Sequence, residues 1–463
     1  MLVVLTHHPH GQEVPVLTIA SALDRIKSEL DRLVPEGLVA RLLADLPGAR
    51  RDRVLTPVVT TRLFLEQVLH GNTAITHLRH LSHRDFSAAA YCQARGRLPV
   101  EFFRRLSQAV VECCRATQAA RQWRGWRLVL VDGTSFSMPD TDELRETFGQ
   151  PSGQADGCGF PVAHVLAVVE ADTGYLLRAR VAPMSTHDSA ALASVDTILE
   201  RGDLVIADRA FSSFAHLARL HQRGIQALFR VHQRQIVDFR PHRRHATTAR
   251  TDAEAAGLPR SRWRKRLGKH DQLVEYLKPA RKPDWMSAED YAALPEVLPV
   301  REVRFRVGIP GCRVRTVTMV TTLRDARRYP AKALARLYQR RWQIEVDFRH
   351  LKQTLKMDVL RCQSVPGVVK ELLVFVAVYN LVRRVMVEAA RRQGVEPRRI
   401  SFVDALRWLR SAGSATRPTL LVLPERPVRH EPRVRKRRPK QYPLMKRPRA
   451  ELKKNLLHHG VAA

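Results

Sequence analysis

Residues 127–138, RLVLVDGTSFSM, decide the fold. Leu128–Val131 is an apolar, β-branched run of buried-strand type, and it is closed by an acid, Asp132. Downstream, PVAHVLAVVEADTG (161–174) and YLLRARVAP (175–183) read as two more strands, with Asp172 to Gly174 as the turn. HDSAALASVDTILERG (187–202) has helical spacing, Asp188 or Ser189 as its cap and Gly202 as its stop. DLVIADRAF (203–211) is a buried strand closed by a second acid, Asp208; FAHLARLHQRG (214–224) is a helix and IQALFRVH (225–232) a strand. Three antiparallel strands, helix, strand, helix, strand, completed by a later helix, predict an α/β fold of ribonuclease H-like arrangement.

Outward from this block the pattern changes on both sides. LTIASALDRIKSELDRLV (17–34), GLVARLLADL (37–46), TTRLFLEQVLHG (60–71) and EFFRRLSQAVVECCRATQAA (101–120) carry apolar residues at three and four spacing, which predicts a helical N-terminal domain over 1–124. The ribonuclease H-like domain is expected over 125–392. Within it, 231–320 reads as a strand-rich insertion, rich in Arg, His and Pro, with Trp263 and Trp285 expected in its core. Helices follow at 331–356 and 368–392. The C-terminal region, 393–463, ends in VRKRRPKQYPLMKRPRAELKK (434–454), a basic, Pro-rich tail that reads as disordered. A solvated tail and a DNA-contacting arm account for it equally well.

The stretch LARLYQRRWQIEVDFRHLKQTLKM (334–357) contains neither Gly nor Pro. At about 100° per residue, Tyr338, Arg341, Glu345 and Lys352 share an arc of roughly 60°. Leu337, Ile344, Phe348, Leu351 and Leu355 form a separate apolar stripe. One face packs, and the other presents a carboxylate flanked by a phenol and two cations. Asp132 and Asp208, at the carboxyl ends of neighbouring strand runs, could converge with Glu345 in one cleft. Three carboxylates there repel unless divalent cations neutralise them, and two metals about 4 Å apart suit phosphodiester chemistry. Each residue has a plainer reading too: Asp132 as a turn residue before Gly133, Asp208 as a partner of Arg209, Glu345 in surface pairs with Arg341 and Arg349.

Charge points the same way. The chain has 79 Lys plus Arg against 45 Asp plus Glu, a net charge of +34, which makes a polyanion, above all nucleic acid, the natural partner. A membrane is not expected, because ELLVFVAVYNLV (371–382) is about half the roughly 20 residues a span needs. The N-terminus shows no signal-peptide pattern. Six cysteines without metal-ligand spacing read as reduced thiols in a cytoplasmic protein.

The spacing Y-x2-R-x3-E-x6-K at Tyr338, Arg341, Glu345 and Lys352 resembles the signature of bacterial transposases of the insertion sequence 4 type, among the DDE recombinases. LVDGTSFSMPD, LVIADRAF and AYCQARGRLP resemble its other motifs, so the likeness runs from about Thr56 to Arg392. The resemblance implies a triad of Asp132, Asp208 and Glu345 holding two Mg²⁺ ions, with Mn²⁺ able to substitute. It implies DNA contacts from Tyr338, Arg341 and Lys352; Arg209 either touches DNA or balances the acids. It further implies cleavage and strand transfer at terminal inverted repeats, target DNA as second substrate, a homodimer when two ends are synapsed, and a bacterial, nucleoid-associated location. A ribonuclease H-like nuclease without strand transfer and an inert transposase-derived DNA-binding protein are the alternatives.

Overall fold

The computed structural model describes residues 36–47, 53–82, 84–116, 122–151, 155, 157–186, 196–246, 257–307, 315–410, 419–424 and 446–458. The helix expected at 17–34, the first part of that at 187–202 and the tail from 425 to 445 lie outside the described residues. Five helices come first: α1 (Glu36–Leu43), α2 (Pro57–Leu69), α3 (Ile75–Ser82), α4 (Ala88–Arg97) and α5 (Val100–Ala116). The Thr56 hydroxyl accepts the Val59 amide and Pro57 opens α2, so that helix begins where its free amides are few and satisfied.

The sheet region runs β1 (Gln122–Trp123), β2 (Trp126–Ser137), α6 (Asp142–Phe148), β3 (Val162–Glu170), β4 (Leu176–Pro183), β5 (Asp203–Ala207), α7 (Phe214–Gln222) and β6 (Gln226–Arg230). It continues with β7 (Ser261–Gly268), β8 (Asp271–Leu277), α8 (Ala288–Ala292), β9 (Val297–Val307) and β10 (Arg315–Thr321). All belong to one ten-stranded sheet in the order β4-β3-β2-β5-β6-β10-β9-β8-β7, with β1 on β2. β2, β5 and β6 are parallel neighbours and every other pairing is antiparallel. The strands expected within 231–320 therefore prolong the sheet instead of standing apart: Val320 of β10 pairs with Phe229 of β6. Trp285 packs against His216, with ring centroids 4.4 Å apart, and Trp263 lies 4.3 Å from His242.

The chain then forms α9 (Ala331–Gln339), α10 (Trp342–Arg349), a π-helical turn (His350–Thr354), α11 (Val365–Gln393), α12 (Phe402–Arg410) and α13 (Arg449–His458). By length and composition α11 could cross a membrane, yet 72% of its most apolar stretch is buried inside this fold. It packs against α2, α5, α12 and β4. Two of its central polar side chains are satisfied there: Asn380 bonds the Leu176 amide and carbonyl, both at 2.9 Å, and Tyr379 donates to the Gly174 carbonyl at 3.1 Å. Apolar residues of α2 and α5 share a continuous core with the sheet and α11, and Leu63, Leu78, Phe86 and Tyr91 make a smaller cluster among the N-terminal helices.

Two expectations need correction. The basic tail is not wholly irregular, since α13 forms at its end, where Arg449 donates to the Gly159 carbonyl at 3.0 Å and lies over the Phe160 ring. Nor is 331–356 one uniform helix. At its middle the amides of Arg340, Arg341, Gln343 and Ile344 bond three residues back, and at its end the Leu355 amide bonds His350 five residues back. The local pitch tightens and then widens because no residue there breaks the helix, while side chains on two faces anchor it differently.

Candidate active site

The parallel pairing of β2 with β5 runs from Arg127↔Asp203 to Val131↔Ala207. Asp132 and Asp208 are the next residues on each strand, so the ladder delivers both to one level at the carboxyl ends of the parallel pair. β2 does not stop at its acid; it continues to Ser137 against β3, with Asp132 opposite Ala167. The other end of the pair is closed by a bidentate Arg127–Asp203 bridge, at 2.6 and 2.8 Å. Charge is neutralised there and left over at the acids.

Helices α9 and α10 bring the remaining groups. Tyr338 is buried and donates its hydroxyl to Asp208 Oδ1 at 3.3 Å. Arg341 reaches Asp132 Oδ2 with Nη1 and Glu345 Oε1 with Nη2, both at 2.8 Å. One guanidinium thus ties the first acid to the third. Its Nε–H is buried and has no partner among the described residues. Lys352, on the π-helical turn, donates to the Ser135 carbonyl at 2.6 Å, three residues beyond Asp132. The turn is pinned there because the Ser137 amide and carbonyl pair with Asp358 and Leu360 just after it. Arg209 is exposed and donates to Gln233 Oε1 at 2.6 Å.

Burial pushes the Asp132 carboxyl up to about 6; Arg341 and the Gly133 amide oppose this, while Asp208 and Glu345 add to it. Burial, and then Asp208, push the Tyr338 phenol above its usual range, so it stays a donor. Burial works against the charge of Arg341, but Asp132, Tyr338, Asp208 and Glu345 outweigh it and hold the guanidinium cationic.

These shifts have a measurable consequence. Asp132 binds its proton more tightly in the folded state than at its ordinary 3.8, so the stability it contributes is full below about 4 and lost as pH rises through about 6. His350, pushed down to about 4 by burial and by Arg383, does the reverse across nearly the same window. The two slopes oppose each other in the native protein. Asp132→Asn removes only the first, so without divalent cations its melting temperature gains on the unsubstituted protein from pH 4 to 6 and then holds level. A difference that stayed constant with pH would contradict this assignment.

Three residues that the sequence reading passed over, Asp347, Arg383 and Arg398, complete the scaffold of the site. Asp347, two residues after Glu345 but on the packed face, is buried against Arg383, with Arg398 bonding both of its oxygens at 3.1 Å. Burial alone would raise this carboxyl, and Arg398 and Arg383 hold it below the usual range. The signal was present: Ile344, Asp347, Phe348 and Leu351 share one helical stripe, and an acid inside an apolar stripe implies a buried partner. Gly174 leaves room for that partner. Its φ is +77°, and a Cβ there would stand 2.8 Å from the guanidinium carbon of Arg383.

Residues 123–381, more than half of the chain, match the family model described as the transposase DDE domain. The chain belongs to the DDE transposase family. It is similar to the transposase InsG for insertion sequence element IS4 of Escherichia coli K12, at 25% identity over 92% of this chain and 96% of that protein. A shorter likeness, 28% over 22% of this chain and 34% of the relative, is to the putative transposase InsZ of the same organism. Among solved structures, the piggyBac transposase synaptic complex with hairpin DNA aligns with 84% of this chain and 79% of that one, at a TM-score of 0.43 and 12% identity. The protein is a transposase, an enzyme that cuts and joins DNA. DDE transposases use divalent metal ions. The oxygen-only donors Asp132, Asp208 and Glu345 suit a hard cation. They do not form a closed cage, since among the described residues no three His, Cys, Asp or Glu side chains stand close enough to hold an ion, and Arg341 lies between two of the acids.

Proposed function

We propose that Asp132, Asp208 and Glu345 are the catalytic acids of a ribonuclease H-like transposase domain. They would hold two Mg²⁺ ions, or Mn²⁺ in their place, at the end of β2 and β5. The observation that carries this reading is the register: neighbouring parallel strands bring two acids level, and a single guanidinium joins the first to Glu345. The order of β4, β3, β2, β5 and β6, three antiparallel followed by two parallel, supports the ribonuclease H-like description. Open carboxylates also fit Mg²⁺, which keeps much of its water shell and takes one or two carboxylates. When bound, the metals would activate water or a 3′ hydroxyl and stabilise the leaving oxygen.

The protein's own groups then divide the remaining work. Arg341 neutralises Asp132 and Glu345 in the free protein, and its guanidinium is the proposed cation for a DNA phosphate once metal ions take over the acids. Tyr338 holds Asp208 by its hydroxyl, so its part in DNA contact runs through that acid. Lys352 lies beside the strand edge as a point charge for the backbone, and exposed Arg209 extends the basic surface. The DNA is that of the terminal inverted repeats of the element carrying the gene, with target DNA as the second substrate. Two ends would be brought together by a homodimer in the bacterial cytoplasm. The helices before residue 124 are the proposed end-recognition region and the strands of 231–320 the proposed insertion.

The test supplies purified protein, Mg²⁺, a duplex of the DNA bordering the gene and a supercoiled plasmid. Covalent joining of the duplex to the plasmid is expected. Cutting without joining would favour a nuclease, and binding without cutting an inert descendant.

A further inference from the structure

At the far end of β2 from the acids, a cavity of about 300 Å³ is lined by Trp123, Arg124, Ala333, Arg336, Leu337 and Arg340. Ala333, Arg336, Leu337 and Arg340 follow i, i+3, i+4, i+7 spacing, so one face of the helix α9 and the turn after it forms a wall. The opposite wall is the β1–β2 turn. Arg124 there has φ +52°, a left-handed conformation that costs a non-glycine residue about 1 kcal/mol. Reciprocal bonds hold it: Arg124 Nη1 donates to the Arg328 carbonyl at 2.6 Å and Arg328 Nη2 to the Arg124 carbonyl at 3.1 Å. Arg124 and Gly125, both at positive φ between the paired Trp123 and Trp126, make the two-residue turn of this hairpin, and it carries the Arg124 side chain to the cavity.

The electrostatics favour an anion. Three guanidinium groups line the space; Asp172 pairs with Arg340 at 2.6 Å. The nearby Asp325 is engaged by the Arg327 and Arg328 amides. Arg336 is exposed and has no hydrogen-bond or ion-pair partner among the described residues. One face of the Trp123 ring is stacked on Tyr329 and Arg124 lies at 5.6 Å, so the indole serves as a wall and not as an open stacking platform. What remains is a fork of cations over an apolar floor, which suits a phosphodiester.

Distance supplies the register. Six steps along β2 lead from Trp126, at the hairpin wall, to Asp132, about 20 Å at roughly 3.3 Å per residue or about six base pairs of duplex, while on the helical wall Arg340 directly precedes Arg341, which reaches Asp132. We propose that this cavity is a second phosphate station for the transposon-end duplex, gripping its backbone within about six base pairs of the phosphate that is cut. The inference rests on the acids being the cutting site.

Full-length protein is titrated, without divalent cation, into a duplex of the DNA bordering the gene at several salt concentrations. Arg336→Gln, whose side chain has no structural partner to lose, is expected to weaken binding about fivefold and flatten the salt slope by about one. Arg336→Glu should weaken it further, while Arg178→Gln on the exposed edge strand β4 serves as the charge-matched control. Neutral methylphosphonate linkages, placed one at a time within about six base pairs of the cut, should at one position bring the native protein down to the level of Arg336→Gln and leave that variant unchanged. A variant that binds like the control overturns the proposal. So does a loss additive with methylphosphonates at every position. Failure of the acids as the cutting site is read separately, from cleavage, which this titration does not use.

Discussion

Asp132→Asn, Asp208→Asn and Glu345→Gln are each expected to reduce end cleavage by about a thousandfold or more while leaving end binding within a few-fold of the native protein. Each substitution keeps side-chain volume and removes the charge that a divalent cation requires. Losing charge stabilisation worth about 4 kcal/mol in the transition state corresponds to roughly three decades in rate. Affinity survives because it comes from the basic surface, which the substitutions leave intact. Asp132→Asn also relieves the burial of a carboxylate, so its fold is not at risk. Nicking of the end duplex on denaturing gels, beside a binding titration of the same preparation, separates the two effects. Native-like cleavage by any one variant would remove that acid from the catalytic set.

Asp347→Ala is expected to destabilise the protein by about 3–5 kcal/mol, the usual consequence of leaving a buried charge without its partner. Here two guanidinium groups, Arg383 and Arg398, lose the same carboxylate at once. Their only retreat is water, and Arg383 is fully enclosed between Tyr379, Phe402 and Gly174. The damage should reach the site, because α10 carries Glu345 and Asp347 only two residues apart. A denaturant melt measures the first effect. A triple change of Asp347→Leu with Arg383→Met and Arg398→Met tests the cause, since removing all three charges should cost much less than removing the carboxylate alone. A loss equal to that of Asp347→Ala would show that packing, not charge, dominates.

The apolar runs before Asp132 and Asp208 were legible because a strand buried on both faces leaves a continuous signature, and β2 and β5 lie where those runs were read. Helical spacing at 60–71, 101–120, 214–224 and 368–392 likewise marks the helices α2, α5, α7 and α11. Pairing partners were less legible, because residues far apart in the chain compete to extend an edge. That β10 would close onto β6, and so join the insertion to the main sheet, is decided by hydrogen bonds between residues about ninety positions apart.

At the candidate site, local geometry accounts for the common face of Tyr338, Arg341 and Glu345, since 3.6 residues per turn is a property of the helix itself. It does not account for what each side chain meets there. The Tyr338 hydroxyl on Asp208 and the Arg341 fork between Asp132 and Glu345 arise only once α9 and α10 dock on the sheet. Even the pitch of that helix changes, through a tightened middle and a π-helical end, because anchors on opposite faces pull on it together.

By itself, then, the sequence determined which residues carry charge, which runs are buried, and the membership in a DNA-cutting family that motif spacing records. Those are properties of composition and short-range period, and they survive without knowledge of neighbours. Only the tertiary structure decided that Asp132 and Asp208 stand level, that Asp347 is the buried anchor beneath Glu345, and that three arginines surround a cavity at the far end of β2. Each depends on strand register and helix docking, where the free energy comes from contacts between segments the chain itself holds far apart.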